Sequence, residues 1–116
     1  MKKKKIVQKK KNPTPKKVQK SLDKEIILSF LKDNKAYLKQ EFGIKKIALF
    51  GSYARDEATK KSDIDIAIVM PEKSFTKRFY LKEFLEKEFH KKVEVCYLDS
   101  MRSLIRRNVE QDLIYA

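Results

Sequence analysis

Apolar residues at helical spacing mark the start of the patterned part of the chain. From Leu22 to Leu38 they recur three and four positions apart, which is the spacing of one face of a helix. Ser21 and Asp23 are both candidates for the N-terminal cap of this helix, because their side chains can accept a backbone hydrogen bond. Gly43 is the predicted end of the helix.

Three short apolar runs with β-branched residues predict strands over 46–50, 64–70 and 93–98. A second long helix is predicted between the last two strands, outlined by apolar residues of 75–89. Ser100 is a candidate cap for a last helix that follows it. This alternation predicts an α/β (α+β) domain with a small mixed β-sheet flanked by helices.

The charge of the chain divides it into two unequal parts. The net charge is +13 over 116 residues, but residues 1–20 hold ten lysines and no acid. Residues 21–116 hold 19 basic and 16 acidic residues, which is close to balance. We therefore expect a flexible lysine-rich tail over 1–20 and one globular domain over 21–116. The alternative for the tail is an electrostatic arm that binds a phosphate polymer such as nucleic acid.

Composition excludes several classes of protein and site. No apolar run approaches the roughly 20 residues that span a bilayer, so no membrane association is expected. The N-terminus lacks the apolar stretch of a secretory signal. Cys96 is the one cysteine and His90 the one histidine, which excludes an internal disulfide and a zinc site built from cysteines or several histidines. These observations favour a cytoplasmic protein.

Two carboxylates near the start of the second strand are the first candidate for chemistry. Asp63 and Asp65 are two positions apart, so a strand would place both on one face, about 7 Å apart along the backbone. Such a pair repels itself unless a cation lies between the two groups. Oxygen ligands with no neighbouring histidine or cysteine suit a hard cation, Mg²⁺ or Mn²⁺.

The turn after the first strand is the second candidate. Gly51 allows a close approach to the main chain, and Ser52 would present a hydroxyl and an N–H at the start of a short helix, where phosphate binds well. Arg55 lies one turn further on and would add a positive charge. Glu94 lies in an otherwise apolar strand, and a neighbouring strand could place it beside Asp63 and Asp65 as a third carboxylate. Each feature alone is common in turns and at sheet edges, but their combination predicts a triphosphate site above a metal site.

The combined motif resembles a known family. Gly51-Ser52-x-Ala-Arg, a short spacer and Ser62-Asp63-x-Asp65 resemble the motif of the minimal nucleotidyltransferases, within the DNA polymerase β-like superfamily. The resemblance covers roughly residues 22–116. In it, Glu94 takes the place of the third carboxylate, and the segment 104–115 resembles the last helix and a strand-like tail. The resemblance implies a nucleotidyltransferase fold.

The resemblance also implies an activity and roles for residues. The reaction would transfer a nucleoside monophosphate, typically AMP from ATP, to a hydroxyl group with release of pyrophosphate. Gly51 and Ser52 would bind the triphosphate, Asp63 and Asp65 would hold Mg²⁺, and Glu94 would complete the metal site and help deprotonate the acceptor. The role of Arg55 stays open between a phosphate contact and support of the loop.

Many short members of this family are antitoxins, and some attach AMP to a tyrosine of a helical HEPN toxin. The resemblance therefore implies a HEPN-type partner and a type VII toxin–antitoxin system, with ATP as substrate. The alternative is a catalytically weak module that neutralises such a partner by contact alone. Two departures from the family pattern motivate this alternative. Asp56 stands where the family usually has glycine, and Glu94 stands where it usually has aspartate.

Overall fold

The computed structural model describes residues 22–116. The lysine-rich tail predicted over 1–20 and the candidate cap Ser21 lie outside the described residues. The elements are, in chain order, helices α1 (Lys24–Asp33) and α2 (Lys35–Phe42), strand β1 (Lys46–Phe50), helix α3 (Gly51–Ala54), strand β2 (Ile64–Val69), helix α4 (Phe75–Phe89), strand β3 (Val93–Tyr97), a 3-10 turn (Leu98–Ser100), helix α5 (Ser103–Glu110) and strand β4 (Ile114–Tyr115).

The four strands form one mixed sheet in the order β3-β2-β1-β4. Strand β1 runs antiparallel to both β2 and β4, whereas β2 and β3 run parallel. A parallel pair needs a long crossover, and α4 supplies it between β2 and β3. The register places Asp65 between Phe50 of β1 and Glu94 of β3. The α/β fold with a small mixed sheet and flanking helices is confirmed.

Strand alternation divides the sheet into an apolar face and a partly polar face. The apolar face packs into one buried cluster with side chains of α1, α2 and α4. Its largest fully buried members are Ile27, Leu31, Leu38, Leu49, Ile64, Ile66, Ile68, Met70, Leu81, Leu85 and Val93. The other face carries Asp65 and Glu94, together with Ala67 and Cys96. The core therefore holds one side of the sheet in place and leaves the carboxylates on the other.

The long first helix predicted from Leu22 to Gly43 is in fact two helices. Asp23 caps α1 as predicted, since its Oδ1 accepts from the Ile26 N–H at 3.0 Å. The chain leaves the helical conformation at Asn34, whose Nδ2 donates to the Phe30 carbonyl at 2.8 Å. Side-chain amides compete with the backbone in this way. Gly43 ends α2 in the left-handed conformation, with φ of 71°.

The outer edge of the sheet at β3 is covered by Arg78 of α4. Its Nη1 donates to the Val95 carbonyl at 2.9 Å, and its guanidinium lies 5.3 Å from the Phe75 ring centre and 5.5 Å from that of Tyr97. The Tyr97 hydroxyl donates to the Ser74 carbonyl at 3.1 Å. The residues that begin α4 are thereby fastened to the edge strand.

The prediction that Ser100 caps the last helix is wrong. Ser100 ends the 3-10 turn after β3, and α5 begins at Ser103 with Arg102 as a cap that makes no side-chain hydrogen bond. The backbone stays extended at Met101 and Arg102, which delays the helix. None of the residues of α5 is buried.

Within residues 22–116, no helix combines the length and the apolar composition that crossing a membrane requires.

Candidate active site

Gly51 forms the junction between β1 and α3, and it lies against Asp65. Its φ of 77° is in the left-handed region, which residues with a Cβ rarely adopt. A Cβ at this position would overlap Oδ2 of Asp65 and lie 3.0 Å from its Cγ. Only glycine lets the main chain pass this close to the carboxylate. Ser52 follows in the first turn of α3, where the sequence predicted it.

Asp65 is the half-buried centre of a group of carboxylates. Burial raises the pKa of Asp65, and the charges of Asp63 and Glu94 raise it further, while Arg55 opposes them. The charges of Asp63 and Glu94 therefore reach Asp65 through space. A bound cation would relieve this repulsion.

The side chain of Glu94 is turned toward a lysine. Its Cα is paired with that of Asp65, but its Oε2 lies 3.6 Å from Nζ of Lys92, and its side chain is exposed. Within residues 22–116, no three His, Cys, Asp or Glu side chains are gathered closely enough to hold a metal. The donor set suits Mg²⁺ or Mn²⁺ by chemistry and by backbone position. The role of Glu94 as the third metal ligand stays a prediction, and it requires the Glu94 side chain to turn from Lys92 toward Asp65.

Arg55 is bound on both sides of its guanidinium. Its Nε donates to Glu57 at 3.0 Å, and its Nη1 donates to Asp112 at 2.6 Å. Both hydrogen bonds raise the pKa of Arg55, so it is a permanent cation. Asp112 lies 57 positions away, between α5 and β4, and the sequence offered no signal for this pair. The arrangement favours support of the loop, and a phosphate contact by Arg55 stays a prediction.

Asp56 adopts a glycine-like backbone conformation at the position where the family usually has glycine. Its φ is 61°, in the left-handed region that aspartate tolerates better than most residues. Its carboxylate forms an ion pair with Nζ of Lys24 at 2.9 Å, and this hydrogen bond raises the pKa of Lys24. The negative charge that Asp56 adds is thus matched by a lysine of α1. Nothing in the sequence indicated that Lys24 is the partner of Asp56.

Cys96 lies two residues beyond Glu94, on the same face of the sheet. It is half-buried rather than a core residue. Burial raises the pKa of the Cys96 thiol, and the charges of Glu94 and Asp65 raise it further, against a smaller opposing effect of Arg78. The thiol therefore stays protonated at neutral pH, and it adds no negative charge to the carboxylate group.

Comparison with known proteins yields a match over most of the chain. Residues 31–116 match a family model described as a nucleotidyltransferase domain. The chain is 41% identical over 93 residues to MJ1379 of Methanocaldococcus jannaschii, which covers 77% of this chain and 93% of that protein. It is 36% identical over 92 residues to the protein adenylyltransferase MntA of Thermococcus cleftensis, which covers 78% of this chain and 93% of MntA.

Solved structures share the fold. A toxin–antitoxin structure with AMP-PNP superposes with a TM-score of 0.60 at 25% identity, over 81% of this chain and 72% of that chain. A complex of the tri-AMPylated HEPN toxin of Shewanella oneidensis with an MNT antitoxin gives a TM-score of 0.55 at 21% identity, over 76% of this chain and 70% of that chain.

Proposed function

Because this chain belongs to the nucleotidyltransferase domain family and is a nucleotidyltransferase, we propose that it transfers AMP from ATP to a tyrosine hydroxyl of a HEPN-type toxin. It would thereby act as the antitoxin of a type VII toxin–antitoxin pair. The observation that carries this proposal is the carboxylate face of the sheet, where Asp65 lies between Gly51 and Glu94. The proposed compartment is the cytoplasm, where ATP and such a toxin meet.

The proposed reaction forms one bond at phosphorus and breaks another. The tyrosine oxygen attacks the α-phosphorus of ATP, the bond from that phosphorus to the β-phosphate oxygen breaks, and pyrophosphate leaves. Gly51 lets the triphosphate approach the main chain, and Ser52 offers it a hydroxyl and an N–H. Glu94 accepts the tyrosine proton.

Asp63 and Asp65 would hold the metal, with Glu94 as the third ligand. When bound, Mg²⁺ or Mn²⁺ would offset the negative charge of the triphosphate and polarise the α-phosphate. The raised pKa of Asp65 supports this assignment, because a carboxylate that is costly to ionise without a cation gains most from one.

The names of similar proteins support the transferred group and the kind of partner. MntA of Thermococcus cleftensis is named a protein adenylyltransferase. One structure with the same fold contains AMP-PNP in a toxin–antitoxin complex, and another contains an AMPylated HEPN toxin with its antitoxin. Proteins with this fold therefore provide a precedent for a complex with a toxin in which a nucleotide or an AMP group is present.

A second candidate function is neutralisation of the toxin by contact alone. The observation that favours it is the position of Glu94, whose carboxylate faces Lys92 rather than the two aspartates. In that case the carboxylates would be dispensable for protection of a cell, although the fold and the partner would be the same.

The test is transfer of labelled AMP to the purified HEPN-type toxin in the presence of Mg²⁺. The double variant Asp63→Asn with Asp65→Asn should lose at least about 100-fold in transfer rate, since metal ions contribute several kcal/mol to such reactions. Asp33→Asn, at the exposed end of α1, is the matched control and should transfer at the normal rate. Labelling that survives the double change would refute the assignment of these carboxylates.

A growth assay separates the two candidate functions. Cells that express the toxin are supplied with the wild-type chain or with the double variant at equal abundance. Loss of protection by the double variant supports transfer as the mode of neutralisation. Full protection by the double variant would show that contact is sufficient.

A further inference from the structure

Helix α5 presents aliphatic side chains that the rest of the domain does not cover. Leu104 and Ile105 are 68% and 54% exposed, and no residue of α5 is buried. The helix is nevertheless strongly amphipathic, with Ile105 and Val109 four positions apart and Leu104 beside Ile105. An amphipathic helix normally turns its apolar stripe to a core. Here the exposed stripe is the kind of surface that a partner covers.

Positive charge flanks this stripe. Arg102 precedes the helix and Arg107 lies in its last turn, and both are exposed. Within the part of the chain that the structure describes, neither forms an ion pair, whereas Arg106 is paired with Glu110 at 3.1 Å. A surface that complements this one would be aliphatic at its centre and carry carboxylates at its rim.

Helix α5 is physically joined to the carboxylate face. It connects β3, which carries Glu94, to β4, which pairs with β1. Asp112 follows the helix, and its Oδ2 accepts a hydrogen bond from Nη1 of Arg55 at 2.6 Å. Arg55 itself lies four residues after Gly51 in the chain. A protein bound along α5 would therefore be held beside the loop that carries the nucleotide-binding motif.

We infer that α5 is the docking surface for the protein that accepts AMP, which rests on the function proposed above. The occupant is a folded protein that presents an aliphatic patch bordered by aspartate and glutamate. A second copy of this chain fits poorly, since a symmetric contact would bring Arg102 and Arg107 of one copy toward those of the other. A membrane surface also fits poorly, because eight residues make a helix only about 12 Å long.

The experiment measures the affinity of the purified HEPN-type toxin for variants of the full chain by calorimetry. Leu104→Glu with Ile105→Glu should weaken binding at least about tenfold, as expected for truncation of an interface anchor. Arg102→Glu with Arg107→Glu should weaken it at low salt. Tyr80→Glu is the matched control, because Tyr80 is 55% exposed on α4, in the helical layer. It should bind within about twofold of the wild type.

Two further measurements separate docking from folding and from chemistry. All variants should bind AMP-PNP with Mg²⁺ and melt like the wild type, because the changed side chains are exposed. If the wild type binds the toxin but transfers no AMP, the proposed function fails while the binding data still decide the role of α5. Toxin affinity of the Leu104→Glu, Ile105→Glu variant equal to that of the wild type would overturn the inference.

The other occupants are distinguishable outcomes. Self-association of the wild-type chain in sedimentation that the Leu104→Glu, Ile105→Glu variant lacks would identify a second copy and overturn the inference. Binding to phosphatidylserine–phosphatidylcholine vesicles that this variant lacks, with unchanged toxin affinity, would overturn it in favour of a membrane.

Discussion

Gly51 and Asp65 form a single unit at the scale of residues, because the space that a Cβ of Gly51 would need is occupied by the Asp65 carboxylate. The sequence predicted both residues as members of one site. It could not predict the contact between them, which depends on the register of β1 against β2. Two features therefore require glycine at position 51: the positive φ and the close contact with the Asp65 carboxylate.

The two glycines in left-handed conformations allow a matched test of that contact. Gly43→Ala should lose about 1 kcal/mol from its conformation, since among residues 22–116 a Cβ there would meet only Nζ of Lys77, at 4.0 Å. Gly51→Ala should lose at least about 2 kcal/mol and at least tenfold in transfer, because the carboxylate must move. Chemical denaturation and labelled AMP transfer measure both effects. Equal stability and equal transfer in the two variants would contradict the contact.

Asp65 should make the metal-free protein less stable at neutral pH. Burial raises its folded-state pKa above the ordinary 3.8, so ionisation costs stability above that folded pKa, and the cost fades as the pH falls through it. Asp65→Asn should therefore melt higher than the wild type at pH 7 without metal, with the difference lost below about pH 3.8. Added Mg²⁺ should raise the melting temperature of the wild type alone. A lower melting temperature for Asp65→Asn at pH 7 would contradict this account.

The bounds of the strands were predicted better than the break between α1 and α2 or the buried face of α4. Strand β1 has the predicted bounds, and β2 and β3 each end one residue earlier than predicted. The break at Asn34 was missed because apolar spacing continues through it while a single side-chain hydrogen bond interrupts the helix. In α4 the helix was predicted, but Leu81 and Leu85 are its buried residues and Phe75 is exposed, because helix orientation depends on the sheet it packs against.

The ion pair between Asp112, which follows α5, and Arg55, which follows α3, bears on the role of Arg55. If Arg55 supports the loop, Asp112→Asn should reproduce much of the defect of Arg55→Gln, because each removes the same ion pair. We expect both variants to raise the KM for ATP several-fold with a small change in stability. Normal ATP kinetics in Asp112→Asn beside a severe defect in Arg55→Gln would instead establish a phosphate contact.

Glu86 joins the end of α4 to the start of β3 and should make that junction sensitive to acid. It accepts from Lys82 Nζ at 2.7 Å and from the Val93 N–H at 3.0 Å, and these bonds lower its pKa from 4.5. Its contribution is fully present above pH 4.5 and is lost as the pH falls through the lowered value. Glu86→Gln should lose about 1 kcal/mol at pH 7, given partial exposure.

Denaturant melts from pH 7 to pH 3 measure the effect of Glu86→Gln. The exposed carboxylate of Glu88, on the same helix, provides the control, and Glu88→Gln should change stability little at any pH. A loss in Glu86→Gln that is the same at pH 3 and pH 7 would contradict the role of its charge.

At the scale of the whole molecule, charge and catalysis are separated along the chain. The net charge of +13 comes mainly from the lysines of residues 1–20, whereas the domain that carries the carboxylates is close to balance. Nucleic-acid binding by this arm stays a prediction from sequence. The AMP transfer proposed above would take place in the near-neutral domain alone.

Removal of residues 1–20 tests this separation. The truncated chain should transfer AMP at the normal rate, because the proposed site residues all lie beyond position 50. The full chain should bind a labelled single-stranded oligonucleotide with an affinity that falls at least about tenfold between 50 and 200 mM salt, and the truncated chain should not. A chain with Ser in place of the ten lysines is the control for length. Equal affinity of the full and truncated chains for the oligonucleotide at low salt would show that residues 1–20 do not bind nucleic acid.

The guanidinium of Arg78 over the outer strand has a consequence for how this molecule can assemble. A sheet with a free rim recruits extended segments of other polypeptides and seeds fibrils. Here one rim has a backbone acceptor already occupied by Arg78, and the opposite rim strand is only two residues long. Growth of the sheet by added strands is therefore hindered at Val95 on one side and limited to two residues on the other. Concentrated preparations should accordingly convert to amyloid-like fibrils more slowly than an Arg78→Ala variant, in which that acceptor is free.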